Sequence, residues 1–467
     1  MKRTQYLAKN TALFALNSIG TKLITFILVP LYTAVLTESD YGTADLVSTI
    51  ATILVPLFTL NIGEAVMRFS LDDNADYDSI MTTGILLAVV STLWGIILIP
   101  VCSLFKPLHG IEVYISLYCI VQGIYQVVVC YLRGTEQLTS FAITNIIHVF
   151  ATAFFNIIFL LVMKWGLTGY FVSYILGYVI GIVFAVIAGK SYVYVSRLKL
   201  NRKLSAQMVR YSIVLVPTSF MWWIMNSSDR LMVSSICGLA ANGIYAVSYK
   251  IPTVLSTMST VFNQAWSYSA IKENKSEDKD NYYNLMYSYF TSFQILITGS
   301  LLFLIRPFFW IYVSANYYDA WKYTPYLLIG YLFMSLGTFL STSYTVNKDT
   351  RGFLVSGMIG AGLNVVLNFL LIPKIGTAGA AFATCVSYIS VFVYRSFDTK
   401  KYIAINVINK KIAIEIIILI FMGMYIFRPN NNRYIVLGAA LMIIFIIERN
   451  FIGSILSIIL RIINKRR

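Results

Sequence analysis

Long apolar runs separated by short polar loops occupy almost the whole chain. A helix that crosses a bilayer takes about 20 mostly apolar residues, and most of these runs have that length. The pattern therefore predicts an all-α polytopic membrane protein with about 14 transmembrane helices. The predicted spans are 10–36, 41–67, 79–104, 112–132, 141–163, 167–189, 210–237, 243–270, 284–312, 318–345, 353–373, 377–395, 412–428 and 434–453.

The last two spans are the shortest. Only residues 412–427 lie between Lys411 and Arg428, and Glu415 interrupts them. Flanking lysine and arginine side chains can reach the interface from a short span. The tail 454–467 combines apolar positions with several basic residues, which predicts a basic segment at the membrane surface.

Composition supports a membrane protein. Of the 467 residues, 58% are hydrophobic and 12% are charged, whereas soluble domains carry about 25% charged residues. This excludes a soluble enzyme and a disordered chain. The formal net charge of +16 would suggest nucleic acid in a soluble protein. In a membrane protein the basic residues first indicate which loops lie on the cytoplasmic side of the membrane, and no nucleic-acid partner is expected.

The distribution of basic residues predicts the orientation. With both termini inside, 26 of the 36 lysines and arginines fall on the cytoplasmic side, six fall in outer loops and four fall within spans. Such a split is what the positive-inside rule requires. The longest loop, near 190–209, is basic. We therefore expect an N-lobe of six spans at 1–190, a cytoplasmic linker at 191–209, a C-lobe of six spans at 210–398, and two further spans at 410–453.

Few residues suit catalysis or metal binding. The five cysteines lack CxxC spacing, there are two histidines, and no GxxxxGK[ST] motif occurs. Cysteines in apolar segments are typically small buried hydrophobes. We expect no catalytic site, no metal site, no built-in ATPase and no cofactor, with coupling to a proton or sodium gradient left open.

The two halves of the chain contain similar short motifs at corresponding positions. Tyr41-Gly42 opens span 2 and Asn242-Gly243 opens span 8, and the glycine-containing turns at 165–169 and 375–379 separate spans 5 and 6 and spans 11 and 12. The offsets are about 200 residues, with the same orientation. Parallel repeats of this kind are typical of transporters whose substrate site lies between the halves.

Several segments resemble one family. They are GIYAVSYK at 243–250, SDRLM at 228–232, NVVLNFLLIPKIGTAGAA at 364–381, and the N-terminal pattern through Pro30 and Asp40-Tyr41-Gly42. They resemble the polysaccharide (O-antigen, Wzx-type) flippases of the multidrug/oligosaccharidyl-lipid/polysaccharide exporter superfamily.

The resemblance implies a fold, a cargo and a location. The fold would be two six-helix lobes arranged in a V around a central cavity that works by alternating access. The cargo would be a glycan on undecaprenyl pyrophosphate, moved from the inner to the outer leaflet of the bacterial cytoplasmic membrane. A polysaccharide polymerase or chain-length machinery would be a partner protein.

Cations within the spans are candidates for binding the pyrophosphate, because charge at the bilayer centre is costly and faces a cavity or a partner. Lys22 lies near the middle of span 1 and is either a phosphate-binding cation or a partner of Glu64. Arg230 is a candidate substrate contact on span 7, whose polar residues and tryptophans, Asn226 and Trp223 among them, predict a cavity-lining helix.

Two further cations lie beside prolines. Lys250 precedes Pro252, where a bend is expected, and either contacts substrate or reaches the outer surface. Arg306 precedes Pro307 near the outer end of span 9 and is a substrate candidate for which an interfacial position is favoured.

Carboxylates within the spans are the candidates for gating or ion coupling. Glu64 and Arg68 are spaced to pair along one helix, so a structural role is as well supported as a gating role. Asp45 and Asp229, together with Glu415, are the other carboxylates that could carry a proton or sodium ion.

Three rival functions are left open. A multidrug or cation antiporter and a lipid II flippase belong to the same superfamily. A membrane-embedded glycan ligase or polymerase is disfavoured by the absence of a long outer loop in the sequence.

Overall fold

A computed structural model describes residues 2–103, 108–195, 199–273, 276, 278–429 and 432–466. The described residues are almost entirely helical and contain no strand. They divide into two compact units, up to Ala246 and from Val247 onward. The predicted lobe limits follow the span count instead and stay a prediction.

The first unit contains eleven helices among its described residues, the last of which runs just beyond it. They are α1 Lys2–Val35, α2 Glu38–Phe58, α3 Ile62–Ser70, α4 Tyr77–Ser103, α5 Glu112–Gly134, α6 Leu138–Asn156 (continued as a π-helix, Ile157–Val162), α7 Gly166–Ala188, α8 Tyr192–Val195, α9 Arg202–Ile213, α10 Val216–Cys237 and α11 Leu239–Ser248.

The described part of the second unit contains eight α-helices. They are α12 Lys250–Glu273, α13 Lys279–Tyr312, α14 Thr324–Asn347, α15 Thr350–Ile375, α16 Thr377–Asp398, α17 Lys410–Tyr425, α18 Arg433–Ile447 and α19 Arg449–Arg466. Short 3₁₀ segments lie at Ala315–Lys322 and Thr399–Lys401.

Most of the helices fall within the predicted spans, but the count of fourteen is not confirmed. Within the described residues, ten helical segments are long and apolar enough to cross a membrane, or eleven if α18 and α19, bent by 62°, form one span. α17 has only 16 residues. Large apolar side chains such as Leu93, Phe369 and Ile417 are more than half exposed, as expected of lipid-facing positions.

Three predicted spans are broken. Span 2 ends as a helix at Phe58 and resumes at Ile62, because Leu60 and Asn61 adopt positive φ angles of 50° and 56°. Span 7 is interrupted at residues 214–215 and span 8 at Tyr249, three residues before Pro252. At each break, backbone N–H and C=O groups lose their helical hydrogen bonds, which places polar groups within otherwise apolar helices.

The predicted linker is partly helical. Asn201 caps α9, accepting hydrogen bonds from the N–H groups of Lys203 and Leu204. Met208 of α9 is fully buried in a core shared with α3, α4 and α5, against which Leu204 also packs. Lys199 forms a 2.9 Å ion pair with Asp76.

The second unit is built around α14 and α16. Arg395 of α16 is 1% exposed; it donates from Nε to Ser356 Oγ and from NH1 to the carbonyl of Gly337, both at 3.0 Å. These bonds join α16 to α15 and α14. A buried guanidinium is costly unless it is hydrogen-bonded in this way.

Candidate functional site in the first unit

Two cavities with mixed polar and apolar walls lie among the helices of the first unit. The first, of about 570 Å³, is an open cleft lined by α2, α3, α5 and the first half of α10. Its polar lining includes Asn61, Gln126, Ser219 and the indoles of Trp222 and Trp223. The Trp223 Nε1–H donates to the Thr49 carbonyl at 2.8 Å, which fixes the ring against α2.

The second cavity, of about 550 Å³, lies among α1, α2, α3, α5, α6 and α7. Four rings line it, those of Tyr125, Phe141, His148 and Tyr178. The His148 and Tyr178 centroids are 4.2 Å apart, and Tyr125 lies 5.1 Å from His148. Tyr125 donates its hydroxyl to Asn145 Oδ1 at 2.6 Å. This wall combines flat apolar faces with oriented amide groups, which suits a ligand that both stacks and hydrogen-bonds.

Glu64 lines both cavities. It lies in the first turn of α3, where the N-terminal end of the helix dipole favours a carboxylate. The break after Pro56 creates this helix start in the middle of the predicted span. Thr52, Pro56 and Gln126 are likewise shared by the two linings.

A row of hydrogen bonds and one ion pair joins α2 and α3 to α10 and α11. From the cavity outward it runs from Asn61 to Ser219 (2.8 Å) and from Trp223 to Thr49. Beyond these, Arg230 NH1 meets Asp45 Oδ1 at 2.7 Å. Asn242 Nδ2 then donates to the Gly42 carbonyl at 2.9 Å.

The two glycines of the sequence repeat meet at the end of this row. A Cβ added to Gly42 would lie 1.9 Å from the Leu239 carbonyl oxygen, and one added to Gly243 would lie 2.0 Å from that of Glu38. Only residues without a side chain permit so close an approach of two backbones. α2 and α11 therefore cross in close backbone contact.

The candidate site residues of span 7 form two groups, those that line the first cavity and those that contact other groups of the protein. Trp223 lines the first cavity, whereas the Asn226 amide donates to the Trp222 carbonyl at 2.7 Å. Asp229 is buried and accepts the Tyr245 hydroxyl at 2.7 Å. Arg230 and Asp45, predicted separately as a substrate cation and a gating carboxylate, are joined as an ion pair.

Two predicted pairings of Glu64 are absent. Arg68 is exposed and forms its ion pair with Asp72 at 2.6 Å, so the expected i,i+4 pair with Glu64 is wrong. Asp72 lies beyond the end of α3, where the side chain of Arg68 points toward solvent. Lys22 is exposed on α1, and within the described part of the chain it forms no ion pair with Glu64. Its neighbour Thr21 lines the second cavity.

The remaining predicted cations belong to the second unit. Lys250 begins α12. Arg306 lies over the ring of Trp321, with 4.3 Å from its guanidinium carbon to the ring centroid. An aromatic partner of this kind is typical of an interfacial arginine. The roles of these two residues as substrate contacts stay predictions.

Sequence reasoning overlooked the uncharged residues of the second cavity. Gln122 and Gln126 are one turn apart on α5, and Asn145 and His148 are three apart on α6. Polar residues at i,i+3 and i,i+4 on otherwise apolar helices were the available signal. Arg133, predicted to lie in a cytoplasmic loop, also lines this cavity. In the described part of the chain, no three His, Cys, Asp or Glu side chains lie close enough to hold a metal ion.

Comparison with solved structures shows the same fold in membrane transporters. The chain is similar to the inward-facing conformation of a multidrug resistance MATE family transporter of the MOP superfamily. The TM-score is 0.64 at 12% identity, over 83% of this chain and 95% of that one. It is also similar to the lipid II flippase MurJ in an inward closed conformation, with a TM-score of 0.64 at 15% identity over 95% and 100% of the two chains.

A third structure and a sequence relative extend the comparison. A MOP superfamily transporter from Pyrococcus furiosus, described as having a binding pocket of reverse polarity, matches with a TM-score of 0.58 at 12% identity over 85% and 96% of the chains. An uncharacterised membrane protein of Methanocaldococcus jannaschii is 24% identical over 422 residues, covering 84% of this chain and 97% of the relative.

The sequence profile named Polysaccharide biosynthesis protein matches residues 7–271, more than half of the chain. The matched region contains both cavities and the crossing of α2 and α11. The chain therefore belongs to the polysaccharide biosynthesis protein family.

Proposed function

We propose that this multi-pass membrane protein is a flippase for oligosaccharide units linked to undecaprenyl pyrophosphate. It moves them from the inner to the outer leaflet of the bacterial cytoplasmic membrane by alternating access, with both of its termini in the cytoplasm. The observation that carries the proposal is a pair of cavities lined by amides and aromatic rings, set among apolar helices in a chain of the polysaccharide biosynthesis family.

The cavity walls suit a glycan. Sugars present a ring of hydroxyl groups and apolar C–H faces, and the second cavity offers amides from Gln122, Gln126 and Asn145 beside the rings of Tyr125 and Tyr178. Amides supply both donors and acceptors to hydroxyl groups. Aromatic faces supply apolar area with little loss of side-chain freedom.

The pyrophosphate requires cations near these walls. Lys22 is exposed beside the second cavity, and Arg133 lines it. We assign the head group to these two side chains. Arg230 is neutralised by Asp45 in this conformation, so we assign this ion pair to the gate between α2 and α10. An intact gate keeps the substrate on one side, and its opening exposes the cavities to the other.

The fold is similar to that of a multidrug transporter and to that of a lipid II flippase. Drugs or organic cations and lipid II are therefore the alternative substrates. Within the described residues that line the two cavities, Glu64 is the only carboxylate. A site built for organic cations would rely on several acidic groups. Amides and rings, by contrast, favour a neutral polar ligand.

Deletion of the gene tests the proposal in the organism that encodes the protein. We expect the surface glycan to be lost while lipid-linked repeat units accumulate on the inner leaflet. Accumulation of single units on the outer leaflet would instead indicate a polymerase or ligase. Arrest of peptidoglycan synthesis would indicate lipid II as the substrate. An unchanged surface glycan would overturn the proposal.

Cavity variants locate the site in the same assay. Gln122→Ala and Gln126→Ala together should reduce glycan export at least tenfold, because each removes a donor and an acceptor facing the cavity. The matched control is Gln137→Ala, which replaces a glutamine at the start of α6, outside both linings. Equal export by both variants would place the glycan elsewhere.

A further inference from the structure

The second unit contains a buried carboxyl pair that the proposed function does not use. Lys411 and Glu415 lie one turn apart on α17, and Glu448 follows the end of α18. Glu415 is 0% exposed and Glu448 is 1% exposed. Both helices pack on α13. The two glutamates are thus removed from water at one end of the α17–α18 hairpin.

One lysine faces two carboxyl groups. Lys411 Nζ donates to Glu448 Oε2 at 2.7 Å and lies 3.4 Å from Ser292 Oγ of α13. The Glu415 carboxyl group is close enough to that of Glu448 for the two to interact electrostatically. Among the described residues, no N–H or hydroxyl group donates to either oxygen of Glu415, nor to Oε1 of Glu448.

The described helices that pack around Glu415 and Glu448 supply no other charged side chain to balance the negative charge of the two carboxylates. α14 carries no charged residue. The charged residues of α13, Lys279, Asp280 and Arg306, lie 12 or more residues from Ser292, which is about 18 Å or more along a helix. On α13, the Tyr287 hydroxyl donates to the Val407 carbonyl, and Tyr289 packs on Phe451.

The remaining nearby cations face away. Lys410 and Arg449 are exposed, and Arg433 lies at the other end of α18. With all three side chains ionised, the cluster of Lys411, Glu415 and Glu448 would carry a net charge of −1 in a buried environment. An uncompensated buried charge is strongly destabilising.

A single bound proton removes both the net negative charge and the lack of a hydrogen-bond donor. It makes the cluster neutral, and it converts one carboxyl group into a donor that hydrogen-bonds to the other. We propose that Glu415 and Glu448 together form a proton-binding site that holds one exchangeable proton next to Lys411. The side chain of Lys411 is 38% exposed, so the site lies close enough to the surface for the proton to exchange with solvent.

The site has a consequence for stability that is independent of transport. At neutral pH the native state holds a proton that an exposed glutamate of the unfolded chain has already released. The native state therefore binds more protons than the unfolded state, and stability falls as pH rises. Loss of the proton restores the buried negative charge and loosens the packing of α17 and α18 on α13.

The test uses the purified full-length protein in detergent and two readouts. The thermal unfolding midpoint is measured from pH 6 to pH 9 for the wild type, Glu415→Gln and the matched control Glu273→Gln on α12. Infrared spectra at neutral pH report a protonated carboxyl group directly. Glutamine at 415 mimics the protonated acid, since its NH₂ group can donate to Glu448.

We expect the midpoint of the wild type and of Glu273→Gln to fall as pH rises, and that of Glu415→Gln to change much less. The protonated-carboxyl band should be present in the wild type and absent in Glu415→Gln. Equal pH dependence of all three proteins, or a wild type without that band, would overturn the proposal. A midpoint that responds to sodium at constant ionic strength, but not to pH, would replace the proton with a sodium ion. Neither readout depends on a transported substrate, so failure of the flippase proposal would leave this test unaffected.

Discussion

Individual residues in the first unit act mainly through their partners. Charged candidates such as Asp45 and Arg230 stand out in the sequence because charge is rare within spans. Their pairing depends on how α2 crosses α10, which no local pattern encodes. The amides of the second cavity were overlooked for the opposite reason: Gln122 and Asn145 carry no charge and disrupt hydropathy little.

The ion pair between Asp45 and Arg230 should stabilise the present conformation. Asp45→Asn or Arg230→Gln removes one member of a partly buried ion pair, which we expect to lower the free energy of unfolding by about 3 kcal/mol. The charge-reversed double variant Asp45→Arg/Arg230→Asp should recover most of the loss. Thermal or denaturant unfolding in detergent measures the coupling. Additive losses in the double variant would show that the pair is not coupled.

A second ion pair predicts a pH dependence outside the spans. The Gly352 N–H, the Tyr402 hydroxyl and Lys401 hold the pKa of Asp349 down to about 2, against an ordinary value of 3.8. Because the pKa is lower in the folded state, the stabilisation is present above about pH 4 and is lost as pH falls toward 2. The stability advantage of the wild type over Asp349→Asn should shrink across that window.

The matched control for this prediction is Asp319→Asn, which removes a carboxylate that pairs with Lys322 on the surface of the same unit. Its side chain is 55% exposed, and exposed pairs contribute little to stability. A difference between wild type and Asp349→Asn that stays constant from pH 5 to pH 2 would contradict the assignment.

At the scale of elements, sequence pattern predicts where helices run better than where they break. Apolar runs mark most spans to within a few residues, since hydropathy is a sum over many positions. The break at residues 59–61 rests on positive φ angles at Leu60 and Asn61. Leucine rarely adopts such angles, so composition does not indicate them. The break near Pro252 has a proline as its sequence signal, and so does the break at residues 214–215, where Pro217 lies at the start of α10.

The crossing of Gly42 and Gly243 predicts sensitivity to a single methyl group. Gly42→Ala or Gly243→Ala places a Cβ about 2 Å from a carbonyl oxygen of the other segment, so the backbones must separate. We expect each substitution to destabilise the protein by about 1–3 kcal/mol and to reduce export. Thermal unfolding and the export assay measure the two effects.

Gly20→Ala is the control for the glycine crossing. Gly20 lies within α1 with no atom within 4 Å of an added Cβ. Alanine there should stabilise the helix by about 0.5–1 kcal/mol. If Gly42→Ala and Gly243→Ala were as stable as Gly20→Ala, the close approach of the two segments would not exist.

At the scale of the whole molecule, the sequence predicts the membrane class and the family from features spread over the chain. Hydropathy, the positive-inside count and the repeated glycine motifs each sum over many residues. The location of the cavities could not be predicted in the same way, because their walls combine residues from seven helices, α1, α2, α3, α5, α6, α7 and α10. Family and fold agree with a transporter, and the glycan cargo is the part that experiment must establish.

Reconstitution into proteoliposomes tests the cargo most directly. The measurement is the fraction of undecaprenyl-pyrophosphate-linked oligosaccharide, labelled on the sugar, that becomes accessible from outside after being confined to the inner leaflet. The account predicts rapid protein-dependent exposure, a loss of at least tenfold in the Gln122→Ala/Gln126→Ala variant, and wild-type exposure with Gln137→Ala. No exposure above that of protein-free vesicles, in preparations that transport lipid II or an organic cation, would contradict it.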